Sequence, residues 1–473
     1  MRGEIVLQER KLTYEALQKC VNSLKCRFRN TLQKNQSFGL CIEDNFIYLL
    51  YFILLISENK KIYLLHPRVA KNTLDKISEE VVIIGDQEQQ DYDKIKFVKA
   101  ISRTEVFKLM DYDEKIIENN TSDNLHKILE NSLSKLVFAT SGTSTGVSKF
   151  VEIDFAWIQI KSIAIAKRFE IKETQSCVIF SSMCFIQVIW TVLSHLYMGA
   201  VLYFTEFRIE AIVDLIKQKE IYTIVTTASI IRGIITCLQK EKKDLNSIRR
   251  IICGGDYVSY SLLTMLKLYF PLAEYGNIYG CTELSAASTV AGPYHLADVT
   301  SDVGIGEPFL DSEIWLSEGN FGEIYCKTRY TSKRYYGETQ MFIDKEGFFA
   351  TGDWARRDNN GTLYYISREN SIINYNGQKI NPFEIEEILN TYDEINECVV
   401  IKERKVDNEM AICYIKKYMP ISKDLIIKKL SKYLESYKIP RHFYLVETLP
   451  KTVSGKIIRD NLAYFNIKKV ELV

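Results

Sequence analysis

Residues 140–149 read Thr-Ser-Gly-Thr-Ser-Thr-Gly-Val-Ser-Lys, a run of hydroxyl side chains broken by two glycines and closed by a lysine. Glycine lets backbone N–H groups close on an anion, and hydroxyls add further donors. Lys149 adds positive charge, so the run suits a phosphate chain. An apolar, strand-like stretch at 136–139 precedes it and another at 150–153 follows. The phosphate loop of P-loop nucleotide hydrolases needs lysine directly after its last glycine, then Ser or Thr, at the start of a helix. Here Lys149 stands three places after Gly146, between strands. Taken by itself, a solvated hairpin loop is the plainer alternative.

Four further groups could join that chemistry. They are Cys253-Gly254-Gly255-Asp256, Tyr279-Gly280-Cys281-Thr282-Glu283, Thr351-Gly352-Asp353, and Arg368 with the segment Pro450-Lys451-Thr452-Val453-Ser454-Gly455-Lys456-Ile457. With the hydroxyl-rich loop they follow, in order, the motifs of the superfamily that holds acyl- and aryl-CoA synthetases, nonribosomal adenylation domains and firefly luciferase. The chain resembles that superfamily from Leu12-Thr13-Tyr14 to its end. Asn376-Gly377 and Pro382-x-Glu384-Ile385-Glu386 match its hinge and lid pattern.

The resemblance implies roles. Thr140, Ser141, Gly142, Thr143, Ser144, Thr145, Gly146 and Lys149 would cradle the phosphates of ATP. Gly254, Gly255 and Asp256 would lie along the adenine. Tyr279, followed by Gly280, would stack on it, since an aromatic face packs well on a base. Asp353 would accept from both ribose hydroxyls, and Arg368 would donate nearby. Glu283, with Thr143, would hold Mg2+, a hard cation that takes oxygen ligands. Thr282 and Glu283 would act beside Lys456, the implied catalytic residue. A fixed cation aimed at developing negative charge is a strong form of catalysis.

The implied reaction is ATP-dependent activation of a small carboxylic acid to an acyl-AMP. Transfer to a thiol follows, either coenzyme A or the phosphopantetheine of a separate carrier protein. Few residues follow Lys456, so no fused carrier domain is expected. A protein that merely binds nucleotide or acyl ligand is the rival of another class. Retention of Lys456, Glu283 and Asp353 argues against it.

Departures from the pattern are informative. Gly142 and Gly146 enclose three residues where the family has two, Ser148 replaces a proline, and Ser367 replaces a glycine. In the acyl pocket, Ile186 falls where amino-acid-activating domains carry an Asp that pairs with the α-ammonium. An ammonium buried beside isoleucine would be unpaired, at a cost of several kcal/mol. Phe185 falls where many synthetases have a gating His or aromatic. An acyl or aryl acid without an α-amino group is therefore expected.

The elements that must position these residues are legible in the periodicity. Apolar β-branched runs at 80–84, 177–180, 200–204, 222–226 and 250–253 alternate with helical patterns, one of them at 209–218. That alternation predicts a parallel α/β sheet. From about residue 300, short runs at 313–316, 322–326, 348–351 and 362–366 are separated by Gly/Asn turns. After Arg368 the pattern is α+β: helix 382–389, strands 398–402 and 411–415, helix 422–434. The expected fold class is α/β. Residues 1–369 would form the large domain, with two parallel α/β subdomains to about 300 and a small β-barrel-like subdomain at about 300–366. Residues 370–473 would form a small mobile lid. Its hinge lies near Asn370, a residue type that tolerates unusual backbone angles.

Composition sets outer limits. The chain has 473 residues, 47% hydrophobic and 26% charged, with 61 basic against 60 acidic side chains. That balance offers no global field for nucleic acid or an anionic membrane. Eleven scattered cysteines without a CxxC pair, and a start without an apolar leader, suggest reduced thiols and a cytoplasmic protein. The five histidines show no metal-ligand spacing. The longest apolar run, 46–56, is too short to span a bilayer. It reads as a buried helix followed by a strand at 62–65, so no transmembrane segment is expected.

Overall fold

The computed structural model describes every residue except 1–3, 8–9, 69–70, 75, 78–79, 87–95, 113–124, 141–148, 242–244, 393, 406–407, 418, 453–456, 460–461, 463–466 and 473. The apolar run at 46–56 is the centre of helix Asn45–Ser57, buried at every position from Asn45 to Ile56. A helix apolar all round must lie inside a core. Asp44 starts it by accepting from the amides of Phe46 at 2.9 Å and Ile47 at 3.2 Å. The same carboxylate pairs with Arg103.

That helix packs on a six-stranded sheet. Its order is Lys96–Lys99, Val81–Gly85, Ser37–Cys41, Lys61–Leu64, Lys135–Ala139, Phe150–Asp154. All neighbours are parallel except the last pair, a hairpin. A nine-stranded sheet carries the second α/β layer. Its parallel centre runs Glu274–Cys281, Arg250–Gly254, Thr223–Thr226, Ser176–Ile179, Val201–Phe204, Glu4–Leu7. Antiparallel strands close it, Ala286–His295 and Glu307–Pro308 at one edge and Arg10–Thr13 at the other. Helix Ile209–Lys219 joins Val201–Phe204 to Thr223–Thr226, with Ser176–Ile179 lying between those two strands. The two layers share one apolar core, filled by helices Phe155–Arg168 and Ile186–Met198.

The third unit is an antiparallel meander, Glu313–Leu316, Phe321–Lys327, Phe349–Arg357, Leu363–Arg368. The strand expected at 348–351 therefore continues to Arg357, and Thr351-Gly352-Asp353 lies within it. The chain then passes through the short turn Glu369–Ser371, where Asn370 is exposed. Its backbone is not left-handed. Asn376 and Gly377 are, at φ 51° and 81°, and they turn the hairpin Ile373–Tyr375/Gln378–Ile380. Helix Pro382–Leu389 is capped by Asn381 and opened by its proline. It packs on strands Ile395–Lys405, Asn408–Lys417, His442–Val446 and Lys469–Glu471. Ser422 caps helix Lys423–Leu430, shorter than the expected 422–434. This unit has its own core, from Ile373 to Phe443. Among the described residues, no helix is long and apolar enough to cross a membrane.

Asp44→Ala removes the cap of the most buried helix and strands Arg103. It should destabilise the protein by about 1–2 kcal/mol, read as a lower unfolding midpoint in a denaturant titration. An unchanged midpoint would mean that the cap contributes nothing.

Candidate active site

In a largely parallel sheet the loops after the strands gather at one edge, where ligands bind. Here those loops carry the residues singled out in the sequence. Gly254 ends its strand, Thr226 ends the next, and Phe180 and Ser181 follow Ser176–Ile179. Tyr279, Gly280 and Cys281 end Glu274–Cys281, and Thr282 and Glu283 open the turn beyond. All line one cleft of about 830 Å3, a size that suits a nucleotide and a small acid.

The hydroxyl-rich loop joins the hairpin strands Lys135–Ala139 and Phe150–Asp154, the strand–loop–strand context expected. Thr140 donates to the Lys149 carbonyl from its amide at 2.8 Å and its hydroxyl at 3.2 Å, closing the loop's base. Lys149 lines the cleft, 4.3 Å from the Tyr335 ring centroid and 3.5 Å from Glu338. Ser141, Gly142, Thr143, Ser144, Thr145 and Gly146 lie outside the described residues.

The meander brings Asp353 and Arg368 together by register, as directly opposed residues of neighbouring strands. Their ion-pair distance is 4.0 Å. The Tyr279 hydroxyl reaches across from the nine-stranded sheet and donates to Asp353 at 3.0 Å. Burial and then the Asp353 charge push the Tyr279 phenol well above its ordinary range, so it stays a donor. Glu323 accepts from the Gly352 amide at 2.9 Å, and Thr351 accepts from the Asp353 amide at 3.1 Å. Asp353 is thus held at the cleft wall.

Gly254 and Gly255 form the wall beside it. A Cβ on Gly254 would stand 3.0 Å from the Ile278 carbonyl, and Gly255 has φ 73°. Asp256 lines the cleft, but its carboxylate accepts from Ser229 at 2.6 Å and from the Tyr257 amide at 3.0 Å. Its side chain braces helix Ala228–Glu241, and a flat ligand would meet the backbone instead.

Glu283 accepts from the Tyr335 hydroxyl at 3.1 Å, and its carbonyl accepts from the Ser332 amide at 2.9 Å. Glu283, Thr140 and Thr282 all line the cleft, and their oxygen donors are of the kind that suits Mg2+. Nothing in the sequence pointed to Tyr335, which lies 52 residues away.

Phe185 caps helix Ile186–Met198, and Phe185 and Ile186 line the cleft with Trp190, Val225 and Ala286. Phe185 packs on His66, ring centroids 6.1 Å apart. Gln187, which sequence reasoning passed over, donates to the Thr226 carbonyl at 3.1 Å.

Lys456 lies outside the described residues, but both flanks of its loop are placed. Lys451 and Ile457 form an antiparallel bridge, and Ile457 and Arg459 line the cleft. Arg459 grips both oxygens of Glu386 at 2.6 Å and lies 4.1 Å from the Phe383 ring centroid. Glu386 had been noted as part of a motif, but its partner had not. Contacts of Phe383 with Tyr257, at 5.3 Å, and of Glu387 with the Tyr260 amide, at 3.1 Å, seat this unit on the nine-stranded sheet. Asn370 is not among the cleft residues.

Comparison with known proteins agrees with this geometry. The family model for AMP-binding enzyme matches residues 4–336, and that for the AMP-binding enzyme C-terminal domain matches 384–456. A 2-succinylbenzoate–CoA ligase of Oceanobacillus iheyensis is 27% identical over 372 residues, 76% of this chain and 75% of that one. A 4-coumarate–CoA ligase of Arabidopsis thaliana is 25% identical over 282 residues, 56% of this chain and 49% of that one. The fold matches o-succinylbenzoate CoA synthetase of Bacillus subtilis in complex with its acyl-adenylate intermediate. The TM-score is 0.79 at 19% identity, over 99% of this chain and 96% of that one. It also matches an anthranilate CoA ligase in complex with anthranoyl-AMP, with TM-score 0.78 at 16% identity over 96% and 92%. The chain belongs to the AMP-binding enzyme family and is an adenylate-forming acid–thiol ligase.

Proposed function

We propose that this protein converts an uncharged-bodied acyl or aryl carboxylic acid to its acyl-AMP and then to its coenzyme A thioester. The observation that carries this reading is a single cleft lined by two unlike sets of residues. One set is Tyr279, Asp353, Arg368, Glu283 and Lys149. The other is Phe185, Ile186, Trp190, Val225 and Ala286. The first suits ATP, the second an apolar body, and the carboxylate would meet the α-phosphorus between them.

The substrate carboxylate is already ionised, so it needs no general base. It attacks the α-phosphorus, the bond to the bridging oxygen breaks, and pyrophosphate leaves with that electron pair. Asp353 and Tyr279 orient the ribose and adenine, and Lys149 and the loop after Thr140 hold the phosphates. Glu283 would hold Mg2+, which would neutralise charge on the phosphates when bound. Lys456, delivered by the loop that Arg459 and Glu386 anchor, steadies the negative charge shifting between carboxylate and phosphate. In the second half-reaction the thiol sulfur attacks the acyl carbon, and AMP leaves with the bonding pair. The relatives described as CoA ligases favour coenzyme A as acceptor over a carrier protein.

The acid class rests on Ile186. It lines the cleft, at the position where the resemblance places the carboxylate that pairs with an α-ammonium, and it carries no charge. A screen of carboxylic acids for ATP–pyrophosphate exchange should find monocarboxylic acyl or aryl acids active and free α-amino acids inactive. Strong exchange with an α-amino acid would overturn this part of the reading.

Lys456→Ala should lower acid-dependent pyrophosphate exchange by about 10²–10³-fold or more. Near-wild-type exchange would remove Lys456 from the mechanism. If the unit after Glu369–Ser371 must rotate between half-reactions, Asn370→Pro should slow thioester formation far more than pyrophosphate exchange. Equal loss in both assays would argue against a hinge there.

A further inference from the structure

The reaction proposed above leaves unused the lysine that is buried most completely among the described residues. Lys161, in helix Phe155–Arg168, is 1% exposed. Its ammonium donates to the carbonyl oxygens of Leu284 at 2.6 Å and Ala287 at 2.7 Å. The ring of Tyr330 lies on another side, 5.7 Å to its centroid. Its charge faces carbonyl dipoles and the Tyr330 ring, and the charged or titratable groups that act on it are Cys326, Cys281 and Asp311. Burial lowers its pKa to about 8, so a cation sits here at a cost.

The two carbonyls explain why that cost is met. They flank the turn between strands Glu274–Cys281 and Ala286–His295. Ser285 and Ala286 are both left-handed there, at φ 55° and 80°. Left-handed non-glycine residues are strained and persist only where their surroundings over-determine them. Gly280 lies tight beneath, since a Cβ there would stand 1.8 Å from the Ala286 oxygen. Ser285 donates to the Tyr330 carbonyl at 2.6 Å, a second tie on the same turn. Both carbonyls are buried, and Lys161 satisfies both at once. The residues just before the clamp are Thr282 and Glu283. Those just after the first tie, Ala286 and Ala287, line the cleft.

We infer that Lys161 is a positioning residue that locks the turn from Thr282 to Ala287 and thereby sets how firmly Glu283 engages Mg2+ with ATP. The inference rests on the metal role of Glu283 proposed above. A lysine that only supports the core would lower stability and leave the metal dependence alone. A clamp on the metal carboxylate must change the metal dependence.

The test is ATP binding by calorimetry, without acid, in Mg2+ and in EDTA, alongside thermal unfolding. Lys161→Met should lose about tenfold or more of the affinity that Mg2+ adds for ATP, a loss of the size seen when partners of metal ligands are removed. Affinity in EDTA should stay within about twofold, because the adenine and ribose contacts are elsewhere. Lys161→Arg, which keeps a cationic donor, should recover part of the loss. A Lys161→Met protein with lowered stability but the wild-type Mg2+ gain overturns the inference. So does an equal loss in EDTA. If neither variant accumulates, the question is read on the wild-type protein by 15N NMR of lysine ammonium groups. The buried Lys161 signal should shift when Mg2+ joins bound ATP, and an unmoved signal overturns the inference. A wild-type protein with no Mg2+ gain would sink the role of Glu283 itself, a result distinct from failure of the clamp alone.

Discussion

Everything in the site depends on one constraint of parallel sheets: their strands all end on the same side. The chain must return across the sheet through helices, so the loops beyond the strand ends converge. Gly254, Thr226, Ser181 and Tyr279 come from four strands of one sheet, and they meet in one cleft because those strands run in the same direction. Thr140 ends a strand of the other sheet and faces the same cleft. The apolar core shared by the two sheets keeps these loop clusters opposite each other.

Polar precision is added by antiparallel structure. In an antiparallel pair, register places residues distant in sequence directly opposite each other. Asp353 and Arg368 meet in this way, and Tyr279 reaches Asp353 from a different sheet. A one-residue slip between those strands would turn Asp353 from the cleft. Glu323, on the next strand, holds the Gly352 amide and resists that slip. The parallel layers thus supply the cavity, and the meander supplies the alignment of its polar wall.

The alternation of apolar runs and helical patterns made the parallel layers legible, and helix Pro382–Leu389 was readable to the residue. Its proline at the first turn and Asn381 cap are local signals, and local signals survive in sequence. The long-range ties were not legible. Tyr335 on Glu283 and Lys161 on the turn beyond it depend on contacts across 52 and 123 or more residues. A lysine in a helix such as Phe155–Arg168, which also carries Gln159, Lys167 and Arg168, reads as a solvated charge unless its acceptors are known. The strand through Thr351–Asp353 was misjudged because Gly352, at φ 73°, looks like a turn residue. Gly352 sits in an irregularity of the ladder, and pairing resumes at Asp353 and Trp354, so the strand continues to Arg357. The nine-residue strand and the ion-pair geometry at Asp353 are consequences of tertiary structure overriding local preference.

The pairing of Arg459 with Glu386 fixes the segment that follows the loop holding Lys456. A buried ion pair gains little net stability, since desolvation offsets attraction. Its value lies in geometry: two parallel N–H···O contacts fix the guanidinium plane, and the ring of Phe383 backs it. Glu386 also accepts from the Val400 amide at 2.7 Å, so helix Pro382–Leu389, strand Ile395–Lys405 and the tail segment are joined at one carboxylate. The base of the loop holding Lys456 is therefore rigid relative to its own unit. The contacts of that unit with the large domain are of another kind, through Phe383 on Tyr257 and Glu387 on the Tyr260 amide. In the two-step reaction proposed above, such a unit would let Lys456 be withdrawn as a body without its internal geometry being rebuilt.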